Sequence, residues 1–189
     1  MKNRVNYLKI MVIVHGKSEL CIARYIKSNL KIKMEIISKD KGAHSIQITS
    51  IMQVLNNSVF SNPKSFLKKY DDIEHIKYSL LNFRLFIIMD VDDCTEIQKN
   101  NFINGKMFKH HWLYKYITPV YNIKTLEDVM NKCNIPITKK NKNKYFEVFP
   151  VNRNELDIQQ IKDFNLKLEK NRKLSNLSEF TNYCIEIAE

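Results

Sequence analysis

The chain predicts an α/β protein built on a mainly parallel sheet flanked by helices. Three observations carry this. Two runs, Ile10–Val14 and Leu85–Met89, are continuously apolar, as strands covered on both faces must be. Helical spacing follows the first of them, and strand-like and helical stretches then alternate. Finally, with only 3 glycines in 189 residues, Gly16, Gly42 and Gly105 each fall where one pattern gives way to another.

The elements follow in order. A strand is expected over Tyr7–Val14. A helix over about Ser18–Leu30 places Leu20, Ala23, Ile26 and Leu30 on one face. A second strand covers Lys33–Ser38, and a helix from Ser45 to about Asn57 turns Ile48, Ile51, Met52 and Leu55 inward. Ser61–Leu81 reads as helical or mixed, with Pro63 suited to a first helical turn. Arg84–Asp90 is the clearest strand. Short helical pieces, "CTEIQKNNF" and "KMFKHHWLYKY", lead to a strand over Tyr116–Tyr121. "KTLEDVMNKC" is helical. Lys139–Lys144 is a basic loop, followed by a strand over Tyr145–Phe149. Two helical segments complete the chain from Glu155, with Ser175 or Ser178 as the cap of the last. This order suits a Rossmann-like α/β domain over residues 1–151, with a C-terminal helical extension, 152–189, packed on it.

Composition narrows the function classes. The hydrophobic fraction of 44% supports a real core, and no apolar run approaches the roughly 20 residues of a membrane span. The N-terminal stretch lacks a signal-peptide pattern, so a cytoplasmic protein without a membrane partner is the expectation. Cys21, Cys94, Cys133 and Cys184 are widely separated, which argues for free thiols rather than a zinc site. The net charge of +11 favours a polyanionic partner such as DNA or RNA, although a Lys-, Asn- and Ile-rich composition alone also raises the charge.

Functional groups in open α/β sheets gather beyond the carboxyl ends of the strands. The first strand ends in His15-Gly16-Lys17-Ser18-Glu19. The later one ends in "MDVDDC", with Asp90, Asp92 and Asp93. Asp90 and Asp92 are two residues apart, so an extended chain points both to one side. Converging carboxylates repel unless a cation lies between them, and oxygen donors suit Mg²⁺ or Mn²⁺. The alternative is that the acids merely stop a buried strand, with Asp93 capping the next helix. Glu19 and Lys17 face the same region, where a phosphate would also meet helix N-terminal amides. Lys41 and His44 beside Gly42 are further candidates for phosphate contact; otherwise they belong to a solvated turn with Ser45 as a cap. "KHHWLYKY" suits either single-stranded nucleic acid or a core packed around Trp112.

The pairing of "VIVHGKSE" with "LFIIMDVDD" resembles the TOPRIM domain of topoisomerases, bacterial primases and ribosomal-RNA maturases. It comes nearest the nucleases of the overcoming-lysogenization-defect family and related phage-defence enzymes. The resemblance runs from about Tyr7 to Met130. It rests on Gly16, Ser18 and Glu19 in the first motif and on Asp90 and Asp92 in the second. It implies Mg²⁺- or Mn²⁺-dependent hydrolysis of a DNA or RNA phosphodiester, in phage defence or a mobile element. Asp90 and Asp92, with Asp93 beside them, would hold one metal, and Glu19 would help with a second. In the same resemblance Glu127, or Asp128 next to it, is a further candidate ligand. Lys17, Ser18, Lys41 and His44 would contact phosphate. A second copy of the chain or a partner such as an ATPase would complete the assembly. His15 stands where the family has a glutamate. It either handles the proton, marks a site that binds without cutting, or hydrogen-bonds a loop carbonyl; the second reading makes the chain an inactive TOPRIM-like nucleic-acid-binding or regulatory module.

Overall fold

The structure is a computed structural model and describes residues 6–135, 137 and 144–189. Four parallel strands form the main sheet: β1 (Ile10–Val14), β2 (Met34–Ile37), β5 (Arg84–Asp90) and β6 (Ile117–Asn122), in the order β2-β1-β5-β6. A separate two-stranded antiparallel hairpin joins β3 (His75–Ile76) to β4 (Ser79–Leu80). All five residues of β1 are fully buried, and six of the seven in β5 are buried. That accounts for their unbroken apolar runs.

Strand alternation splits the core in two. Ile10, Val12, Val14, Phe86, Ile88 and Val120 face one layer, which holds α1 (Lys17–Leu30), α5 (Leu126–Lys132), α6 (Tyr145–Val148), α7 (Ile158–Glu169) and α8 (Leu177–Ala188). Met11, Ile13, Leu85, Ile87 and Met89 face the other, with α2 (Ile51–Leu55), α3 (Pro63–Lys69), α4 (Glu96–Ile103) and the hairpin region. The C-terminal helices α7 and α8 belong to the first layer: Phe180 packs against Phe86 with ring centroids 5.1 Å apart. Each such buried side chain contributes roughly 1.5–3 kcal/mol. None of the described helices is long and apolar enough to cross a membrane.

Several expected elements change. Ser45–Asn57 is not one helix. His15 holds Ile46 through backbone and side chain, so the chain stays extended until a 3-10 turn at Ile48–Ser50 and the short α2. Ser45 therefore caps nothing. Within Ser61–Leu81, Asn62 caps α3 by accepting from Ser65 N at 2.9 Å and Pro63 opens it, but the rest becomes the hairpin. Tyr145–Phe149 is not a strand; its first four residues form α6. Its aromatics, four apart, instead stack at 6.2 Å and pack on Tyr25 and Phe164. The basic run 139–143 lies outside the described residues. Ser178 is buried within α8, and Ser175 Oγ accepts from Leu177 N at 3.0 Å at the start of that helix. His111 and Trp112 serve the core: His111 Nε2 bonds the Leu55 carbonyl at 3.0 Å, and Trp112 Nε1 donates to Phe60 O at 2.7 Å. The four cysteines are free thiols.

β1 has β2 on one side and β5 on the other, so consecutive strands leave it in opposite directions. The carboxyl ends of β1 and β5 thus flank a switch in strand order, where open sheets form a crevice.

Candidate active site at the carboxyl ends of β1 and β5

That crevice is a cleft of about 520 Å³ lined by His15–Glu19, Gly42, Ala43, Ser45, Asp90, Asp92, Thr125 and Glu127. Its first wall begins where β1 runs out. His15 N donates to Ile88 O at 2.9 Å, His15 O accepts from Ile46 N at 2.8 Å, and His15 Nδ1 bonds Ile46 O at 2.9 Å. A carbonyl only accepts, so Nδ1 carries the proton and the neutral ring keeps its lone pair on Nε2.

Gly16 then leads into α1, and Gly16 N donates to Glu19 Oε2 at 2.9 Å. This bond satisfies an amide that the helix start leaves without a partner. It also holds the Glu19 carboxylate, 3% exposed, at the base of the cleft. Gly16 has φ −154°, an extended value open to any residue, and a Cβ there would sit 3.5 Å from both Glu19 Oε2 and Ser45 Oγ, inside the cleft. Gly42 is different: its φ is +86°, and a Cβ would come within 3.0 Å of Leu20 and 3.1 Å of Lys17 Cα. Glycine lets this loop press against the first turn of α1.

The second wall is the end of β5. Asp90 is buried, and its Oδ1 accepts from Asn122 Nδ2 at 2.9 Å across the β5–β6 register. Asn122 Oδ1 in turn accepts from Ser175 Oγ at 2.7 Å. Both partners are buried. Asp92 is exposed on the rim. Asp93 is exposed and does not line the cleft, nor does it cap α4. Thr95 does that, through a reciprocal pairing with Gln98.

The third wall is the first turn of α5. Glu127 is buried and accepts from Ser18 Oγ at 3.0 Å, which ties the starts of α1 and α5 together. Its neighbour Asp128 forms a capping box with Thr125, whose Oγ1 donates to it at 2.8 Å. Tyr145 is fully buried beside Ser18 and Glu127, without a well-formed hydrogen bond to its hydroxyl. Burial, with the nearby charges of Glu127 and Glu19, pushes its phenol far above the ordinary range.

Asp90 feels the assembled charge. Burial is the largest cause and the charge of Glu19 the next; with Glu127 adding to them, they push its carboxyl up to about 8. The Asn122 hydrogen bond and His15 act in the opposite direction. Among the described residues, no group of three or more His, Cys, Asp or Glu side chains is placed to hold a metal ion.

The structure therefore brings His15, Lys17, Ser18, Glu19, Asp90, Asp92 and Glu127 to one cleft. It does not bring Asp93, Lys41 or His44 there. Asp40, Lys41 and Gly42 all have positive φ, and this tight left-handed turn puts Lys41 in a separate groove beside α1 and β2. His44 is exposed and pairs with Asp40 at 2.8 Å. The sequence assigns no site role to Asn122, Thr125 or Tyr145 and offers Ser175 only as a cap of the last helix. Asn122 alone carried a signal, as the polar residue ending a parallel strand. The chain matches no protein-family model, no curated protein and no solved structure.

Proposed function

We propose that this chain is a divalent-metal-dependent nuclease with a TOPRIM-like site. The observation that carries the reading is the meeting of buried Glu19, Asp90 and Glu127 at the switch in strand order, with Asp92 on the rim. Burial and the charges of Glu19 and Glu127 oppose the ionisation of Asp90. A cation would relieve that opposition. The donor set is hard oxygen, which fits Mg²⁺ or Mn²⁺. Mg²⁺ commonly takes one or two carboxylates and completes its shell with water and substrate phosphate, so the reading does not need three protein ligands on one ion.

A bound divalent ion would make its water acidic enough to attack at neutral pH and offset charge on the phosphodiester. The chain's own residues do the rest. Asn122 holds Asp90, and Ser18 holds Glu127, so the oxygens need little reorganisation. Lys17 and the first amides of the 14-residue α1 bind phosphate. His15, with its lone pair on Nε2, is the ring that takes up the proton.

The test incubates purified protein with single- and double-stranded DNA and RNA and Mg²⁺ or Mn²⁺. Cleavage should be abolished by chelator and fall by roughly 10³-fold or more in Asp90→Asn/Asp92→Asn. Cleavage unaffected by that double substitution would end the reading. A second reading, a module that binds nucleic acid without cutting, draws on the use of the His15 ring to hold a loop carbonyl. Salt-sensitive binding that ignores chelator, with no cleavage under any condition, would favour it.

A further inference from the structure

Ten of the 14 residues of α1 are buried, and the other four are Lys17, Arg24, Lys27 and Ser28. Three are cations and none is an acid. Lys31, the left-handed residue that ends the helix, adds a fourth cation. At 3.6 residues per turn these five positions share an arc of about 100°, and Lys17 to Lys31 spans about 21 Å. The stripe starts inside the candidate active site, at Lys17.

Two grooves follow it outward. Arg24 and Lys27 line one of about 520 Å³ with Ser38 and Lys41. They line the next, about 570 Å³, with Ser28, Lys31 and Val151. Lys27 Nζ donates to Met34 O at 2.8 Å and Lys31 Nζ to Asn152 O at 2.9 Å. These carbonyls fix the side chains without cancelling their charge. Among the described residues, Arg24, Lys27 and Lys31 form no ion pair. Two other helical lysines are compensated, Lys99 by Glu96 and Lys162 by Glu189, whereas Lys64, Lys68 and Lys69 of α3 also form no ion pair among the described residues but lie away from the cleft lining. Glu35 is the acid lining the first groove, and it is half-buried.

The geometry points to the α1 stripe as the track for the nucleic-acid backbone that leaves the cleft. A strand rises about 3.4 Å per nucleotide, so a stripe of about 21 Å accompanies roughly six phosphates. A membrane surface fits less well, because a helix lying on lipid needs an exposed apolar face, and every apolar residue of α1 is buried. The inference rests on the nuclease reading only for what happens in the cleft; the track itself concerns binding.

The experiment therefore measures binding with cleavage switched off. Fluorescence anisotropy follows labelled oligonucleotides of about 20 nucleotides, single-stranded and duplex, in chelator across a salt series. The full chain is compared with Arg24→Gln/Lys27→Gln/Lys31→Asn; asparagine is chosen at 31 because it tolerates the left-handed conformation. The triple variant should bind roughly tenfold or more weakly at about 0.1 M salt, and its log–log salt slope should flatten by about 2. Arg24→Gln alone, which breaks no hydrogen bond within the described residues, should flatten it by about 0.7. Unchanged affinity and slope in both variants would overturn the track, whatever the cleavage assay gives. Binding of the wild type to phosphatidylserine vesicles but not to oligonucleotides would also overturn it. Loss of binding in the variants of a protein that never cleaves would keep the track and remove the nuclease reading.

Discussion

Asp90→Asn isolates the electrostatic strain of the cleft. Asparagine keeps the shape and an Oδ1 to accept from Asn122 Nδ2, and it removes the charge. The Asp90 carboxyl is raised from 3.8 to about 8 in the folded protein, so the folded state holds this proton more tightly than the unfolded chain does. The resulting stabilisation is complete below pH 3.8. It is lost progressively as the pH rises toward about 8 and changes no further above that. At 1.36 kcal/mol per pH unit the full loss is roughly 6 kcal/mol. Glu19 and Glu127 share the repulsion, so one substitution recovers part of it, about 2–3 kcal/mol. In chelator, urea unfolding followed by circular dichroism should give similar stabilities for variant and wild type near pH 4. The variant should gain steadily toward about pH 8 and keep its lead of about 2–3 kcal/mol above it. For a chain of this size that lead raises Tm by about 4–12 °C. Adding Mg²⁺ should reverse the order, because ligand binding stabilises the form that binds. A variant less stable than wild type, or a difference that does not grow with pH, would refute the charge crowding on which the site rests.

Cleavage should rise about tenfold per pH unit up to about 8 and then level off, because Asp90 must lose its proton before it can ligate a metal; a flat profile from about pH 6 would contradict that. Gly42→Ala should cost roughly 1–3 kcal/mol in chemical denaturation, since its φ of +86° and its contacts with Leu20 and Lys17 leave no room for a Cβ. Gly16→Ala should change stability by less than about 1 kcal/mol yet impair metal-dependent cleavage, because its new methyl would enter the cleft beside Glu19 and Ser45. Phe180→Ala should destabilise by about 3–5 kcal/mol if α8 is an integral layer over Phe86; a loss below about 1 kcal/mol would make it a loosely attached appendage.

What the sequence made legible was local. β1 and β5 stand out because burial on both faces demands unbroken apolar runs, and α1 because its inward face repeats at helical spacing. Polar groups ending those strands gave Glu19, Asp90 and Asp92 by the same logic. What stayed hidden depends on contacts between distant positions. The Ser45–Asn57 region is short of helix because His15 holds Ile46, 31 residues away. In "YFEVF" the same residues offer a period of two to a strand and an aromatic pair four apart to a helix; Tyr25 and Phe164 decide for the helix. Asn122 and Ser175 join the site across separations of 32 and 53 residues. Lys41, His44 and Asp93 show the converse error. Nearness along the chain does not set direction, and the left-handed turn at Asp40–Gly42 turns Lys41 to the outer side of α1.

His15 gathers these threads. Its ring holds the Ile46 carbonyl, which is a structural task, yet that same bond determines what chemistry is left to it. With the Nδ1 proton committed to Ile46, the neutral ring presents a basic Nε2 in a fixed orientation. Histidines that ligate metals or move protons are commonly oriented by such a second bond. Structural and chemical roles are therefore two ends of one ring rather than rival explanations. A glutamate at position 15 has no ring N–H to give, so it would release the Ile46 carbonyl and leave the backbone bond from Ile46 N to His15 O to tie β1 to the 45–47 segment without it. The histidine is thus matched to this loop. The anchored loop, in turn, supplies Ser45 to the wall of the cleft and keeps Gly42 against α1, where the basic stripe begins.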